Sequence, residues 1–340
     1  MKKVVYGLVV AAVIGITACN EEDFSSKEYY DYLFYLLSKE THNVYIAPHP
    51  YTEGEETLGY FSIGCGGSLS NPEDVAIELE HDTILFNRYN RLTFDIDTPK
   101  FARLLPRHRY HIGGMNINFP AHSREQYVKV PIYVDTYGLS PDSIYFVPLA
   151  IKSVSGGYGT NPEKFNILYR IAVENDYAEH VRNTIYSQRG TLLLVEYGES
   201  EDVNDVVIID DPARTPIVET RIIKPLSIHS ARSIAGDEKV VKMETPTLAE
   251  LEKSAIILTV AEDNRVRISS YGTVQVEQID GTMADGDPWN IYREERINMV
   301  DESVNKLFYL RYRYRTVSNA DANPPVYNSW KYVQETLKRQ

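Results

Sequence analysis

Cysteine is nearly absent from this chain of 340 residues, which has only Cys19 and Cys65. Cys19 directly follows an apolar leader, so we expect its thiol to be modified and unavailable for a disulfide with Cys65. In the stretch YFSIGCGG, Phe61, Ile63 and Cys65 alternate onto one side, which predicts a buried cysteine that packs as a small apolar residue. A disulfide-stabilised scaffold is therefore excluded.

Basic residues are also in the minority, with 35 lysines and arginines against 48 aspartates and glutamates and a net charge of −13. A protein that binds nucleic acid needs a basic surface, so this balance excludes nucleic acid as a partner. An acidic chain is typical of an exposed, soluble protein. The apolar fraction of 43% still suffices for cores, and the length predicts two domains.

The motifs of common catalytic and metal centres are missing as well. The sequence has no His-Glu-x-x-His, no Gly-x-Ser-x-Gly and no P-loop. His108 and His111 are three residues apart in a β-like stretch, so they should point to opposite faces and cannot share an ion. The aspartates of DGTMADGDPW, residues 280–289, lack EF-hand spacing and indicate a plain turn. We therefore predict no catalytic residue, no metal and no cofactor.

Long apolar runs are limited to VVYGLVVAAVIGIT, which follows Lys2 and Lys3. This run is too short to span a bilayer, which takes about 20 residues. Its length and its positive flank are typical of a signal peptide. The final residues, Ile16-Thr17-Ala18-Cys19, resemble the lipobox of bacterial lipoproteins, so residues 1–18 are predicted to be a lipoprotein signal peptide and Cys19 the lipidated residue.

The acidic residues behind Cys19, Glu21-Glu22-Asp23, resemble the export signal of Bacteroidetes lipoproteins that reach the outer face of the outer membrane. The same segment also reads as a solvated tether. We expect the chain to be lipid-anchored in the outer membrane and to face the cell exterior.

The remaining chain divides into two β-rich parts. Residues 19–42 are predicted to be a lipidated tether and a short helix, since Tyr29, Leu33 and Leu36 recur at helical spacing. Short alternating runs over residues 43–155 predict an immunoglobulin-like β-sandwich. The Gly, Asn and Pro of residues 156–163 predict a linker, and residues 164–340 predict an antiparallel β domain. The fold class is therefore all-β, with the second domain either a barrel or a jelly roll.

Several motifs, taken in order, resemble a family of Bacteroidetes surface lipoproteins. Leu105-Pro106 followed by Tyr110, and the strand Tyr145–Leu149, are similar to its N-terminal domain of unknown function. SARSIAG, IILTVAEDNRVRIS and FYLRYRYR are similar to the C-terminal β domain of unknown function that often follows it. Such proteins are commonly encoded beside glycan uptake systems of the starch-utilisation type. The resemblance therefore implies surface glycan binding, and it carries over no catalytic residues.

Aromatic rings beside turns are the candidate ligand contacts, because rings with a polar edge can stack on sugars and bond their hydroxyls. The chain has 26 tyrosines and two tryptophans. The candidate glycan-binding residues are Trp289, Trp330, Tyr327, Tyr292 and Tyr158. The same rings could instead cover core edges or the seam between the domains.

The strand KLFYLRYRYRTV carries a second candidate feature. Its core-facing residues are expected to be Phe308, Leu310, Tyr312 and Tyr314. Arg311, Arg313 and Arg315 then share the other face. This row could bind a uronate or sulfate, or it could pair with acids across the strands.

The function predicted from these features is non-catalytic polysaccharide or oligosaccharide binding by an outer-membrane surface lipoprotein. Its further partner would be an outer-membrane glycan importer. Two other functions stay open from sequence. An adhesin or fimbria-type assembly subunit would show an exposed strand edge, and a small glycan-active enzyme would show a cleft with two facing carboxylates.

Overall fold

The computed structural model describes most of the chain after the predicted leader. The described residues are 30–38, 41–122, 125–180, 182–194, 215–243, 245–280, 297–303 and 305–340. No helix within these ranges has the length and apolar character needed to cross a membrane. The predicted signal peptide and Cys19 lie outside the described residues.

The N-terminal domain is a two-sheet sandwich. Its five-stranded sheet consists, in spatial order, of β10 (Gly159–Thr160), β1 (Leu33–Leu36), β3 (Thr57–Gly66), β8 (Tyr127–Val134) and β6 (Tyr110–Ile112). Its six-stranded sheet consists of β2 (Val44–Pro50), β11 (Asn166–Glu174), β9 (Tyr145–Val154), β4 (Val75–Glu80) and β7 (Asn116–Phe119), with β5 (Arg103–Leu104) also paired to β9. Alternation along the strands places Phe61 and Ile63 of one sheet against Val147 and Leu149 of the other, so the core lies between the sheets.

The predicted short helix before residue 42 is wrong. Residues Leu33–Leu36 form a strand that pairs antiparallel with β3 and parallel with β10. Phe34 and Leu36 are fully buried in the sandwich core. In this stretch helical spacing and strand alternation select overlapping residues, and the free edge of β3 favours the strand.

The sheets of the first domain extend past the predicted linker and past residue 164, where the second domain is predicted to begin. Gly159–Thr160 pairs with β1, and Asn166–Glu174 lies between β2 and β9. Ile167 and Tyr169 are fully buried in the sandwich core. The glycines before residue 160 therefore mark a turn within the first domain.

One helix in the sandwich was not anticipated. Helix α1 (Thr83–Phe94) replaces the strand that RLTFDID predicts, because Asp82 caps its N-terminus by accepting from the N–H groups of Ile84 and Leu85. Phe86 of this helix is buried against Phe146 of β9. The short 3-10 turns are Thr41–Asn43, Thr98–Lys100 and Arg107–Arg109.

The C-terminal domain is a nine-stranded antiparallel sheet. Its strands, in spatial order, are β16 (Val266–Ser270), β15 (Ala255–Val260), β14 (Ser230–Ile234), β13 (Thr215–Pro225), β12 (Thr184–Leu194), β22 (Lys331–Arg339), β19 (Leu307–Arg315) and β17 (Gln275–Gln278), with β18 (Met299–Asp301) also paired to β19. The two ends of this sheet approach each other where β16 meets β18. Arg265 and Met299 form a β-bridge there, and Val266 N–H donates to the Asn298 carbonyl at 2.7 Å. The sheet thus forms a nearly closed barrel, which answers the question that the sequence left between barrel and jelly roll.

Several predicted details of the barrel are confirmed. TPTLAELEK predicts a short helix capped by Thr245 or Thr247, and helix α2 (Leu248–Ser254) has Thr247 as its N-cap, whose hydroxyl accepts from Glu250 N–H in a capping box. β15 and β16 form the predicted hairpin, in which Asn264 takes the left-handed conformation of a tight turn. β19 is a strand as predicted, but it is not the last, because β22 follows and pairs with both β19 and β12.

An ion pair between a buried arginine and a partly exposed aspartate joins the two domains. Both terminal nitrogens of Arg232, on β14, donate to the carboxylate of Asp142 in the sandwich, at 2.6 and 2.7 Å. The Arg232 side chain is only 3% exposed. Asn175 strengthens the junction by donating to the carbonyls of Ser227 and Ser230. These contacts fix the barrel against the sandwich.

Candidate functional site on the outer face of the barrel

Two cross-strand residue pairs between β19 and β17 supply the charged groups of the candidate site. Alternation along β19 turns Arg313 and Arg315 away from the barrel core. Arg313 stands opposite Glu277 of β17, and its Nε donates to the Glu277 carboxylate at 2.7 Å. Arg315 stands opposite Gln275, and its Nε donates to the amide oxygen at 2.6 Å. One arginine therefore faces an acid across the strands, whereas the other faces a neutral amide.

Two rings lie against these arginines. The Trp330 ring centroid is 4.4 Å from the Arg313 guanidinium carbon and 4.5 Å from that of Arg315. The Tyr327 ring centroid is 4.9 Å from the Arg315 carbon. These distances lie within the range of cation–π attraction. Arg313, Arg315, Tyr327 and Trp330 form one surface, which we name the Trp330 cluster.

The hairpin after β19 positions the rings. β20 (Val317–Asn319) pairs with β21 (Val326–Tyr327) just beyond Arg315. Asn328 then donates its N–H to the Thr316 carbonyl at 2.9 Å and its side-chain amide to the Thr316 hydroxyl at 2.8 Å. These bonds fix the segment between β21 and β22 beside the end of β19. Tyr327 and Trp330 therefore both contact the guanidinium of Arg315.

The Trp330 cluster combines apolar faces with hydrogen-bonding groups. Trp330, Tyr327 and Arg315 are each partly exposed, and Asn328 and Ser329 are exposed beside them. Partly exposed rings can stack on the C–H face of a sugar, while the amide, hydroxyl and guanidinium groups can bond its hydroxyls. The arrangement can therefore hold a carbohydrate without any reacting group.

Tyr158 does not join the Trp330 cluster. Its ring makes edge contacts with Tyr32 and Phe34, at centroid distances of 5.9 and 6.0 Å. Its hydroxyl donates to the Glu73 carboxylate at 3.0 Å. Tyr158 therefore covers an edge of the sandwich core, which was the alternative that the sequence left open.

The other candidate residues are outside the structural description. Trp289 and Tyr292 lie outside the described residues, as does most of the aspartate-containing loop 280–289. Across the ranges that the structure does describe, no group of three or more His, Cys, Asp or Glu side chains could hold a metal ion.

A second exposed aromatic surface, which sequence reasoning missed, lies on the outer face of the five-stranded sheet. Leu58, Tyr60 and Tyr127 are 47%, 44% and 36% exposed. Tyr133 stacks on His111, with centroids 4.4 Å apart. The alternation that buries one face of β3 and β8 predicts this outer face, but it does not distinguish a ligand surface from an ordinary solvated one.

The interior of the barrel holds a polar network that sequence reasoning also missed. Glu335 is fully buried and accepts from the Tyr312 hydroxyl at 2.8 Å and from the side-chain amide of Gln188. Arg221, 1% exposed, donates to the Gln188 amide oxygen at 2.8 Å and also to the Gly236 carbonyl. The sequence could have indicated this network only through alternation, which places Glu335, Gln188 and Arg221 on the core-facing sides of their strands.

Burial dominates the electrostatics of this network. It raises the pKa of Glu335 to about 7, although the bonds from Gln188 and Tyr312 act in the opposite direction. Nearby, burial also opposes ionisation of Asp237, but bonds from Tyr314 and Lys331 hold the pKa of that carboxyl below its usual value. Since Glu335 is sealed from solvent, it can stabilise the barrel but cannot reach a ligand.

Comparison with known proteins identifies the family. A family model for a domain described as N-terminal matches residues 29–157, and the model for the corresponding C-terminal domain matches residues 165–338. The chain belongs to this two-domain family. The predicted pairing of an N-terminal β-sandwich domain with a C-terminal β domain of the same family is confirmed. No curated protein matches the chain in sequence.

Solved structures of Bacteroides proteins share the fold of this family member. A Bacteroides ovatus protein of unknown function has a TM-score of 0.55 at 14% identity, covering 90% of this chain and 94% of its own. A multidomain Bacteroides ovatus protein that includes DUF1735 has a TM-score of 0.53 at 14% identity, with the same coverage. An auxiliary nutrient binding protein of Bacteroides thetaiotaomicron has a TM-score of 0.51 at 12% identity, covering 89% and 93%. At these identities the similarity shows a common two-domain fold.

Proposed function

We propose that the protein binds polysaccharide without chemical turnover and that the Trp330 cluster is the binding surface. The observation that carries the proposal is the convergence of two partly exposed rings, Trp330 and Tyr327, on one guanidinium. Aromatic rings beside polar groups supply both the stacking and the hydrogen bonding that sugar recognition requires.

The carboxylate beside the Trp330 cluster supports binding rather than hydrolysis at this surface. A glycosidase needs one carboxyl group with a raised pKa in contact with substrate. Glu335 has such a pKa, but it is fully buried in the barrel. Glu277, at the edge of the Trp330 cluster, is already bonded to Arg313.

We further propose a cellular setting for this binding, which one structural neighbour supports. One solved relative is an auxiliary nutrient binding protein, and we propose an equivalent role here, as the accessory of a glycan uptake system with an outer-membrane importer as partner. Cys19 would carry the acyl chains that hold the protein at the outer face of the outer membrane. Several acyl chains give stable anchoring where one alone is marginal.

The anchor has its own test. Cells that express the wild type should incorporate labelled palmitate into the protein, and protease added outside intact cells should degrade it. The Cys19→Ala variant should take up no label. Label in the variant, or a wild type that external protease cannot reach, would contradict the proposed anchoring while leaving glycan binding open.

The binding surface is tested by a screen of the full-length, detergent-solubilised protein against immobilised polysaccharides. Trp330→Ala should weaken binding to whichever glycan is retained by at least about 1 kcal/mol, the scale of one aromatic contact. Tyr60→Ala is the matched control, since it removes an exposed ring from the sandwich. Loss of binding in Tyr60→Ala alone would move the site to the sheet, and retention of no polysaccharide would refute the proposed function.

A further inference from the structure

We infer that the Arg315 side of the Trp330 cluster binds an oxyanion on the sugar, a carboxylate or a sulfate ester, so that the preferred ligand is an acidic glycan. This inference rests on the proposed function and names the ligand class of the same surface. Two neighbouring arginines on β19 differ in their partners, since Arg313 bonds a carboxylate and Arg315 bonds a neutral amide.

Arg313 is a structural arginine. Its Nε bonds the carboxylate of Glu277, the residue directly across the strands, and its Nη1 donates to the Tyr332 hydroxyl at 3.0 Å. The Arg313 side chain is only 5% exposed. Opposite charges across a strand pair stabilise a sheet in the ordinary way, so the charge of Arg313 is already compensated.

Arg315 has no such compensation. The residue across the strands is Gln275, whose amide accepts from Nε but carries no charge. Within the described parts of the chain, no carboxylate lies within ion-pair distance of the Arg315 guanidinium. The chain as a whole has a net charge of −13. Arg315 nevertheless has neutral neighbours, Gln275, Tyr327 and Trp330, so its positive charge can attract an anionic ligand.

The geometry also prepares this guanidinium for a planar anion. The rings of Tyr327 and Trp330 lie 4.9 and 4.5 Å from its central carbon, and the bond from Nε to Gln275 fixes its plane. The two terminal nitrogens then remain for an incoming acceptor. A guanidinium held in this way can grip a carboxylate or sulfate with two parallel bonds.

The neighbouring aromatic rings favour a sugar that bears a carboxylate or sulfate over a free anion. A free anion would meet only Arg315, whereas an acidic sugar can bond Arg315 and stack on Trp330 at the same time. Uronates and sulfate esters share the oxyanion chemistry, and the probes below distinguish them.

The test compares acidic polysaccharides with neutral partners of the same backbone. Titration calorimetry of the full-length protein would use polygalacturonate against its methyl ester, and sulfated against desulfated galactan. The wild type should bind one acidic member at least about tenfold more tightly than its neutral partner, the scale of one charge-assisted bond. Polygalacturonate would identify a uronate ligand, and sulfated galactan a sulfate ester.

The variants assign this preference to one residue. Arg315→Gln should abolish the difference between the acidic and neutral members, and Arg315→Lys should retain only part of it, because lysine keeps the charge but not the planar fork. Arg189→Gln, which removes an exposed arginine from β12, should leave the preference intact.

Two results overturn the inference. If the wild type binds acidic and neutral members equally while Trp330→Ala weakens both, the inference fails and the proposed function stands. If the acidic preference persists in Arg315→Gln, the anion contact lies elsewhere. Absence of any polysaccharide binding would instead refute the proposed function itself.

Discussion

Replacing Glu335 by glutamine tests the polar interior of the barrel. Burial raises the pKa of this carboxyl from 4.5 to about 7, and the side chain is fully enclosed. Glutamine has nearly the same shape and no charge to titrate. The Glu335→Gln variant should therefore lose the part of the pH dependence of stability that comes from the titration of this carboxyl.

The sign and size of that part follow from proton linkage. Between pH 4.5 and about 7, the folded protein keeps the proton on Glu335 while the unfolded chain has lost it. The stabilising contribution is thus complete below about pH 4.5 and is lost as the pH rises through about 7. At about 1.4 kcal/mol for each pKa unit, the free energy of unfolding should fall by roughly 3 kcal/mol over this interval.

Two histidines, the buried His49 and the half-buried His180, oppose this trend in the wild type. Burial lowers the pKa of His49 and of His180 to about 4. Each therefore adds stability as the pH rises from about 4 to its ordinary value near 6.5. The curve of the wild type alone cannot separate these contributions, but the difference between the wild type and Glu335→Gln can.

The assay is chemical denaturation of both proteins at intervals from pH 4.5 to 8. Relative to the wild type, Glu335→Gln should gain about 3 kcal/mol of stability over this range, measured as a larger free energy of unfolding at pH 8 than at pH 4.5. A difference that stays constant with pH would show that Glu335 titrates normally in the folded protein, and the description of a sealed, dry network would be refuted.

Two further substitutions test packing and the domain junction. Asp142→Asn removes the charge that compensates the buried Arg232, so denaturation should show a loss of roughly 2–3 kcal/mol, and an unchanged midpoint would contradict a role for this pair. Gly190→Ala places a methyl group against the backbone of β22, 2.8 Å from the Glu335 Cα, and should cost about 1–3 kcal/mol in thermal unfolding. Gly66→Ala, where the nearest atom is 3.5 Å away, is the control that should cost less.

Sequence patterns predicted the fold where one local signal dominated. Alternation identified β8 and β19, and a capping signal at Thr245 or Thr247 identified α2, which the structure caps with Thr247. The patterns failed where tertiary pairing decided between two local options. Leu33–Leu36 became a strand because β3 offers it an edge, and Asn166–Glu174 joined the first domain because it fits between β2 and β9.

The candidate site was predictable only in part, for the same reason. Turn residues around Trp330 and Tyr327 indicated that these rings lie near the surface. Their convergence on Arg315 depends on the β20–β21 hairpin, which no local pattern specified. Tyr158 has a similar sequence setting, but it packs on Phe34 because β10 pairs with β1.

The proposed function requires that Trp330 touches the bound glycan, and tryptophan fluorescence reports this contact. The chain has two tryptophans, so a Trp289→Phe variant leaves Trp330 as the single reporter. Titration with a polysaccharide retained in the screen should shift or quench its emission, with the same dissociation constant that calorimetry gives. Calorimetric binding with unchanged Trp330 emission would contradict the account.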